Sequence, residues 1–277
     1  MHLATRLVFV CTVSGLAGAT AAAAQSAADL IEATKRQDVA GVRAQLAGRV
    51  DVNGQAADGS TALHWAAQRN NPQLVDLLVR AGANAKTTSR YNVPPLYFAA
   101  LNGNAPVMER LLAAGADANG TAYEGQTMLM TAALSGRPEA VRLLLQRGAK
   151  VDAVEPYRGQ TALMWAASEG NTDAAAVLLE AGANVTARSN GGFTPLLFAV
   201  RNAHLSTAEL LLKRGANVND VAPDGSSALS VATVNAFFEL ASRCFRSTSD
   251  CASLSSDFAF CRSFSVRSTS LCAFFWS

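Results

Sequence analysis

The sequence predicts an all-α repeat solenoid, built by stacking one helix–turn–helix unit along the chain. Three observations predict it. The run Thr61-Ala62-Leu63-His64-Trp65-Ala66-Ala67 returns as Thr161-Ala162-Leu163-Met164-Trp165-Ala166-Ala167, with looser copies at residues 94–100, 127–133, 194–200 and 227–233. The central leucines Leu63, Leu96, Leu129, Leu163, Leu196 and Leu229 are separated by 33, 33, 34, 33 and 33 residues. Each of the first five copies is followed by a leucine-rich run that stops at Gly-Ala, at Gly82, Gly115, Gly148, Gly182 and Gly215. A fixed period of this length marks one supersecondary unit that buries its apolar face only against its neighbours.

Composition narrows the function classes. The 277 residues carry a formal net charge of +2, and Lys and Arg are scattered rather than gathered in a block, so there is no electrostatic footprint for nucleic acid. Half of the residues are hydrophobic, much of that alanine, and small residues at fixed positions let helices approach closely. The cysteines are Cys11, Cys244, Cys251, Cys261 and Cys272. None lies in the repeats, so the repeats form no disulfide.

Residues 1–24 read as a cleaved secretory signal. His2 and Arg6 form a weakly positive start, an apolar run follows from Leu7 to Ala19, and small residues lead to a cut between Ala24 and Gln25. The alternative is an N-terminal membrane anchor, but the run is short for a span and lacks a charged stop. Residues 25–242 form the solenoid. Its first unit, to about Asn53, is degenerate: Leu30, Ala33, Val42 and Leu46 give a helical stripe, and Lys35, Arg36, Gln37, Asp38 and Arg43 give the polar outer face that a terminal repeat needs.

Five clear repeats then parse alike. A loop tip ends in a turn residue, at Asp58-Gly59, Tyr91-Asn92, Glu124-Gly125, Arg158-Gly159 and Gly191-Gly192. Thr, or Pro94 in the second repeat, opens a short first helix, where a threonine hydroxyl can cap free N–H groups for about 1 kcal/mol. A break at Asn70, Gly103, Gly136, Gly170 or Ala203 precedes a leucine-rich second helix. Pro72, Pro106 and Pro138 fall near its start, where the missing N–H costs little. Glycine then stops it.

These residues resemble the ankyrin repeat. Thr61–Ala67 is similar to the family's Thr-Pro-Leu-His-x-Ala-Ala signature. Gly82-Ala83-Asn84, Gly115-Ala116-Asp117, Gly182-Ala183-Asn184 and Gly215-Ala216-Asn217 are similar to its Gly-Ala-Asp/Asn element. The resemblance covers residues 26–242 and implies antiparallel helix pairs with projecting β-hairpin loops, stacked into a curved solenoid. The departures are Pro94 for Thr, Met128 and Ala162 for Pro, and Met130, Met164 and Leu197 for His. One extra residue in the loop holding Glu155-Pro156-Tyr157 should bulge there.

The last copy begins at Asp224 and loses the pattern after Ser242, where Arg243-Cys244-Phe245 replaces a leucine run. Residues 243–277 are rich in Ser, Phe and Cys. Three readings fit them: a shifted reading frame that leaves an aberrant, disordered tail, a disulfide-stapled extension with three possible pairings, or an interaction tail.

The repeats contain no phosphate-binding glycine loop, no Gly-x-Ser-x-Gly elbow and no His-Glu-x-x-His. His64 with Asp58 could form a catalytic or metal pair. The competing reading places His64 at the helix-start position where the family uses histidine to bond adjacent loops. His204 is expected to be exposed at a helix break. Trp65 and Trp165 share a register with Phe98, Phe198, Thr131 and Val231 and are expected between the paired helices, with Met108, Met128, Met130 and Met164 as core filler. No catalytic residue, metal or cofactor is expected, and the tail cysteines lack paired CxxC spacing.

The resemblance implies a concave binding face of loop tips and first-helix ends. By register it includes Arg69, Arg90, Tyr91, Tyr123, Glu124, Tyr157, Arg158 and Phe193. Three of the four tyrosines fall at successive tips, and Tyr and Arg carry disproportionate binding energy at interfaces. The other reading of the tyrosines is packing on neighbouring loops. The sequence thus reads as an exported, non-catalytic module of bacterial type, monomeric, periplasmic or secreted. Its partner would be a protein, with no nucleic acid and no membrane span in the mature chain. The alternatives are a secreted factor acting on host or competitor proteins, or an accessory subunit of a periplasmic enzyme.

Overall fold

The helices are too short to stand alone, and the fold follows from how they share ends. In a computed structural model, which describes residues 27–222, 224–228 and 230–231, the chain is an all-helical stack. The signal-like segment 1–24 and the tail 243–277 lie outside the described residues. Helix α1 covers 27–35 and α2 Val39–Ala47. Five pairs follow: α3 (Ala62–Gln68) with α4 (Pro72–Arg80), α5 (Pro95–Leu101) with α6 (Ala105–Ala113), α7 (Met128–Ser135) with α8 (Pro138–Gln146), α9 (Ala162–Glu169) with α10 (Thr172–Glu180), and α11 (Pro195–Arg201) with α12 (Leu205–Lys213).

Each first helix is seven or eight residues long and each second helix nine. Isolated helices of this length are not stable in water, so the stack supplies their stability. The alanine pairs Ala66-Ala67, Ala99-Ala100, Ala132-Ala133 and Ala166-Ala167 are fully buried between successive first helices. With no side chain beyond Cβ there, α3, α5, α7, α9 and α11 pack more closely than the second helices do. The stack therefore curves, with its concave side on the first helices. Leu74, Leu78, Leu111, Leu144, Leu178 and Leu211 fill the space between the layers.

The breaks fall where the sequence puts them. Asn70, Gly103, Gly136, Gly170 and Ala203 all have positive φ, as does Gln37 in the degenerate first unit. The loops are hairpin turns rather than strands. Two backbone bonds close each; the wider runs from Ala56 N–H to Ser60 O (2.8 Å), Ser89 to Val93 (3.0 Å), Ala122 to Gln126 (2.8 Å), Ser189 to Phe193 (3.0 Å) and Ala222 to Ser226 (2.8 Å). Only single bridges, Thr121 with Thr127 and Val221 with Ser227, extend this pairing, and no strand forms among the described residues. The loop at 155–160 closes from Glu155 N–H to Gln160 O (3.2 Å), one residue longer, so the extra residue bulges there as its spacing requires.

On the far side, an asparagine or aspartate ties three of the repeats to the next. Asn53 donates from Nδ2 to Gly82 O (3.1 Å) and accepts the Asn84 N–H (2.7 Å). Asn119 does the same with Gly148 O (2.9 Å) and Lys150 N–H (2.9 Å), and Asp152 accepts the Asn184 N–H (2.9 Å). Lys86 holds this register between Asn53 and Asn119 but has no acceptor atom. An open groove of about 410 Å³ lined by Lys86, Gly115, Asp117 and Arg147 lies at that junction. Replacing Lys86 with Asn should restore the bridge to Gly115 O and Asp117 N–H. It should raise the unfolding free energy by about 1 kcal/mol, read from the urea midpoint at unchanged slope.

Candidate partner-binding face

The loop tips are built before they are decorated. At five of the six tips, all but the one at 122–126, a side chain accepts hydrogen bonds from its own loop. The Asp58 carboxylate accepts from Ser60 N–H (2.9 Å) and Ser60 Oγ–H (2.6 Å), and Asp224 accepts the same pair from Ser226 (2.9 and 2.5 Å). Those serine bonds hold both carboxyls below the usual aspartate range. Ser89 Oγ accepts from Val93 N–H (3.3 Å) and Ser189 Oγ from Phe193 N–H (3.1 Å). The bulged loop uses a buried carboxylate: Glu155 takes Tyr157 N–H (2.7 Å), Arg158 N–H (2.8 Å) and Gln160 N–H (3.0 Å).

Two pairs of adjacent tips are then bonded together. Arg90 N–H donates to Asp58 O (2.9 Å), and Asn190 donates from its backbone N–H to Arg158 O (2.8 Å) and from Nδ2 to Tyr157 O (3.2 Å). Gly59, Gly125 and Gly159 have positive φ, and a β-carbon on each would collide with Arg90, Pro156 and Asn190 respectively. Glycine is needed at these three turns for both reasons.

His64 is a buried tie between repeats. Its Nδ1 lies 3.1 Å from Thr61 N–H and 2.9 Å from Thr61 Oγ1, and its Nε2 lies 3.0 Å from Val93 O in the next loop. The neutral ring with its proton on Nε2 satisfies all three contacts. Burial pushes its pKa down, partly offset by the Val93 carbonyl and the Asp58 charge. Trp65 donates from Nε1 to Ser60 Oγ (3.0 Å), which closes a chain through Ser60 to Asp58. Asp58 is thereby occupied by the tip, while the bonds of His64 go to Thr61 and Val93. Among the described residues, no group of three or more His, Cys, Asp or Glu is gathered around one point.

The eight face residues predicted from register separate into two kinds. Tyr91 and Tyr157 project from their tips, 69% and 73% exposed. Arg69, Arg90, Glu124 and Arg158 are exposed as well, with Glu124 in the left-handed region at φ 52°. Tyr123 is 45% exposed because its ring rests edge-on against Tyr97, with centroids 5.4 Å apart. Phe193 turns inward: it packs against the core and Phe198 (5.6 Å), with Arg201 over its ring at 5.8 Å. Of the two readings of the loop-tip aromatics, neighbour packing describes Tyr123 and Phe193, and free projection describes Tyr91 and Tyr157. Leu101, 40% exposed at the end of α5, adds apolar surface.

Register alone missed Tyr97, which lies one helical residue before the tryptophan-equivalent Phe98 and carries Tyr123. Burial raises its pKa above the ordinary phenol value, and Tyr123 adds to the shift. Two expectations change. Trp65, Trp165, Phe98 and Phe198 are half-buried, packed against the core from its edge rather than enclosed between paired helices. His204 is half-buried and not free, because its Nε2 meets Ser168 O (3.0 Å) in the preceding repeat.

The His64 contacts predict a pH response. In the unfolded chain the imidazole titrates near 6.5, and in the fold it titrates lower. The folded state therefore binds fewer protons below pH 6.5, so this share of stability is complete above that pH and is lost as pH falls toward the folded pKa. His64→Met, the residue found at the same register in two other repeats, should remove it. Denaturant midpoints between pH 7.5 and 5 should decline more for the parent than for the variant, with a difference no steeper than about 1.4 kcal/mol per pH unit.

Comparison with known proteins bears on this face. A comparison with curated proteins returns no match. Among solved structures, the ankyrin repeat domain of human ASB11 is 27% identical, with a TM-score of 0.67 over 73% of this chain and 90% of that one. A family model described as "Ankyrin repeats (3 copies)" matches residues 30–122, 65–155, 96–189 and 129–222, overlapping windows that together run from 30 to 222. With its helix pairs, locked hairpin tips and repeat-to-repeat histidine tie, this chain belongs to the ankyrin-repeat family.

Proposed function

We propose that this protein is an exported, non-catalytic module that captures a partner protein on its loop-tip face. Ankyrin repeats imply a protein–protein interaction module, and the fold is typically non-catalytic. The observation that carries the reading is the exposure of Tyr91 and Tyr157 on tips that cannot collapse onto them. A phenol ring held out by a rigid loop has little conformational freedom left to lose on binding, and burying it contributes a large contact area. Arg90 and Arg158 are the chain neighbours of the two tyrosines, and Arg69 and Leu101 lie at the ends of their first helices. Among the described residues no helix is long and apolar enough to cross a membrane.

The tyrosines make the test sharp because they divide. Tyr91→Ser with Tyr157→Ser should weaken capture of the partner by at least about thirtyfold, at roughly 1 kcal/mol or more per ring, with the thermal transition unchanged. Tyr123→Ser should lower the transition itself, because it strips the ring from Tyr97. Capture that survives the double substitution would overturn the reading.

Export rests on the charge and apolar order of residues 1–24. Fractionation into cytoplasm, periplasm and medium should find a chain beginning at Gln25 outside the cytoplasm. A cytoplasmic chain that retains Met1 would overturn export and leave the binding face untouched.

A further inference from the structure

The loop-tip edge carries a charge order that the fold leaves unused. Three successive tips present Arg90-Tyr91, Tyr123-Glu124 and Tyr157-Arg158, so the charge runs positive, negative, positive. All three charged residues are exposed. Elsewhere in the described residues, ion pairs join repeats across the second helices, Asp76 with Arg110 (2.7 Å), Glu109 with Arg147 (4.0 Å) and Glu180 with Arg214 (3.8 Å), and beside the last two tips, Arg188 with Asp220 (2.7 Å). In these pairs opposite charges one repeat apart meet. On the tip edge Arg90, Glu124 and Arg158 form no ion pair with one another. The backbone bond to Asp58 O and the approach of Gly125 to Pro156 fix their loops in place. The flanking tips do not extend the pattern, since Asp58 is engaged by Ser60 and Asn190-Gly191 is uncharged.

We propose that this edge recognises an extended peptide segment whose charges run acidic, basic, acidic at intervals of about three residues. The inference rests on the protein-binding reading above and specifies the partner's chemistry. The interval follows from geometry: packed helices lie about 8–10 Å apart, and an extended chain rises about 3.3 Å per residue. Guanidinium groups at Arg90 and Arg158 match carboxylates in a two-pronged contact, and Glu124 matches a lysine or arginine between them. Tyr91 and Tyr157 cover the residues beside the acidic positions, with phenol O–H groups free to donate.

The test is selection of a displayed random dodecapeptide library on the immobilised full chain and on the charge-reversed variant R90E/E124K/R158E, whose folding is checked by circular dichroism. The parent should enrich acid-x-x-base-x-x-acid sequences, and the variant the reverse order. A synthetic peptide selected on the parent should bind the variant at least about tenfold more weakly. If the variant fails to fold, E124K alone should lose only the preference for a central basic residue. Enriched peptides with no common charge order, or the same order on parent and variant, would overturn this inference. If their retention then fell in Y91S/Y157S, the protein-binding reading would still stand. No peptide retained above the blank surface would count against both.

Discussion

Everything in this molecule depends on one repeat completing the hydrogen bonds of the next. A helix leaves several N–H groups at its start and several carbonyls at its end without an internal partner. In helices of seven to nine residues these are a large share of the backbone. Here the neighbour supplies the missing partners. Asn102 Nδ2 reaches Gln68 O at the end of α3 (3.1 Å), Asn171 Nδ2 reaches Ala133 O and Leu134 O in α7 (2.8 and 2.9 Å), and His204 and Asn202 both reach Ser168 O in α9 (3.0 and 2.7 Å). Buried alanines bring the helices close enough for these bonds to form. The apolar period and the polar ties are therefore one constraint: a repeat without its neighbour would lose both at once.

That coupling explains what the amino-acid order makes legible. Glycine or a turn residue at each break, threonine at first-helix starts and alanine pairs in first helices are local requirements, and they recur because each repeat faces the same neighbour. The positive φ values at Gly82, Gly115, Gly148, Gly182 and Gly215 follow from that rule. In the degenerate first unit Arg49 takes the same conformation without being glycine, at φ 58°. What register cannot give is side-chain direction. It places Phe193 at a tip but not its inward turn onto Phe198. It aligns Tyr123 with Tyr157, yet Tyr97 lies beneath only the first. It reads His204 as a stray at a break, because the carbonyl it meets lies 36 residues earlier in the chain.

The two long faces of the stack handle charge differently, and this bears on what each can do. Across the second helices, acids and arginines of successive repeats meet at three junctions. Such partly exposed pairs contribute little stability, about 0–1 kcal/mol each. At the tips, carboxylates are divided between two tasks. Asp58, Glu155 and Asp224 serve their own loops, whereas Glu124 points outward from a left-handed turn with no loop bond to make. The rigidity of the face thus comes from one set of acids and its specificity from another.

The single inserted residue shows how rigidity and exposure are reconciled. Lengthening a hairpin tip frees backbone N–H groups that a four-residue turn would not present, and leaving buried donors unpaired costs about 1–3 kcal/mol each. Glu155 removes that cost by drawing three N–H groups onto one buried carboxylate. Gln160 then stands where Ser60 stands in the first clear repeat, and Trp165 Nε1 is left buried without the acceptor that Trp65 has in Ser60. This repeat thus has a carboxylate-anchored tip where the first clear repeat has a tryptophan bond to its tip serine. Tyr123, in the same register on the shorter neighbouring tip, settles onto Tyr97. Tyr157 has no such ring contact and stands clear of the surface. The carboxylate-anchored tip thus carries the most exposed tyrosine of the tip edge.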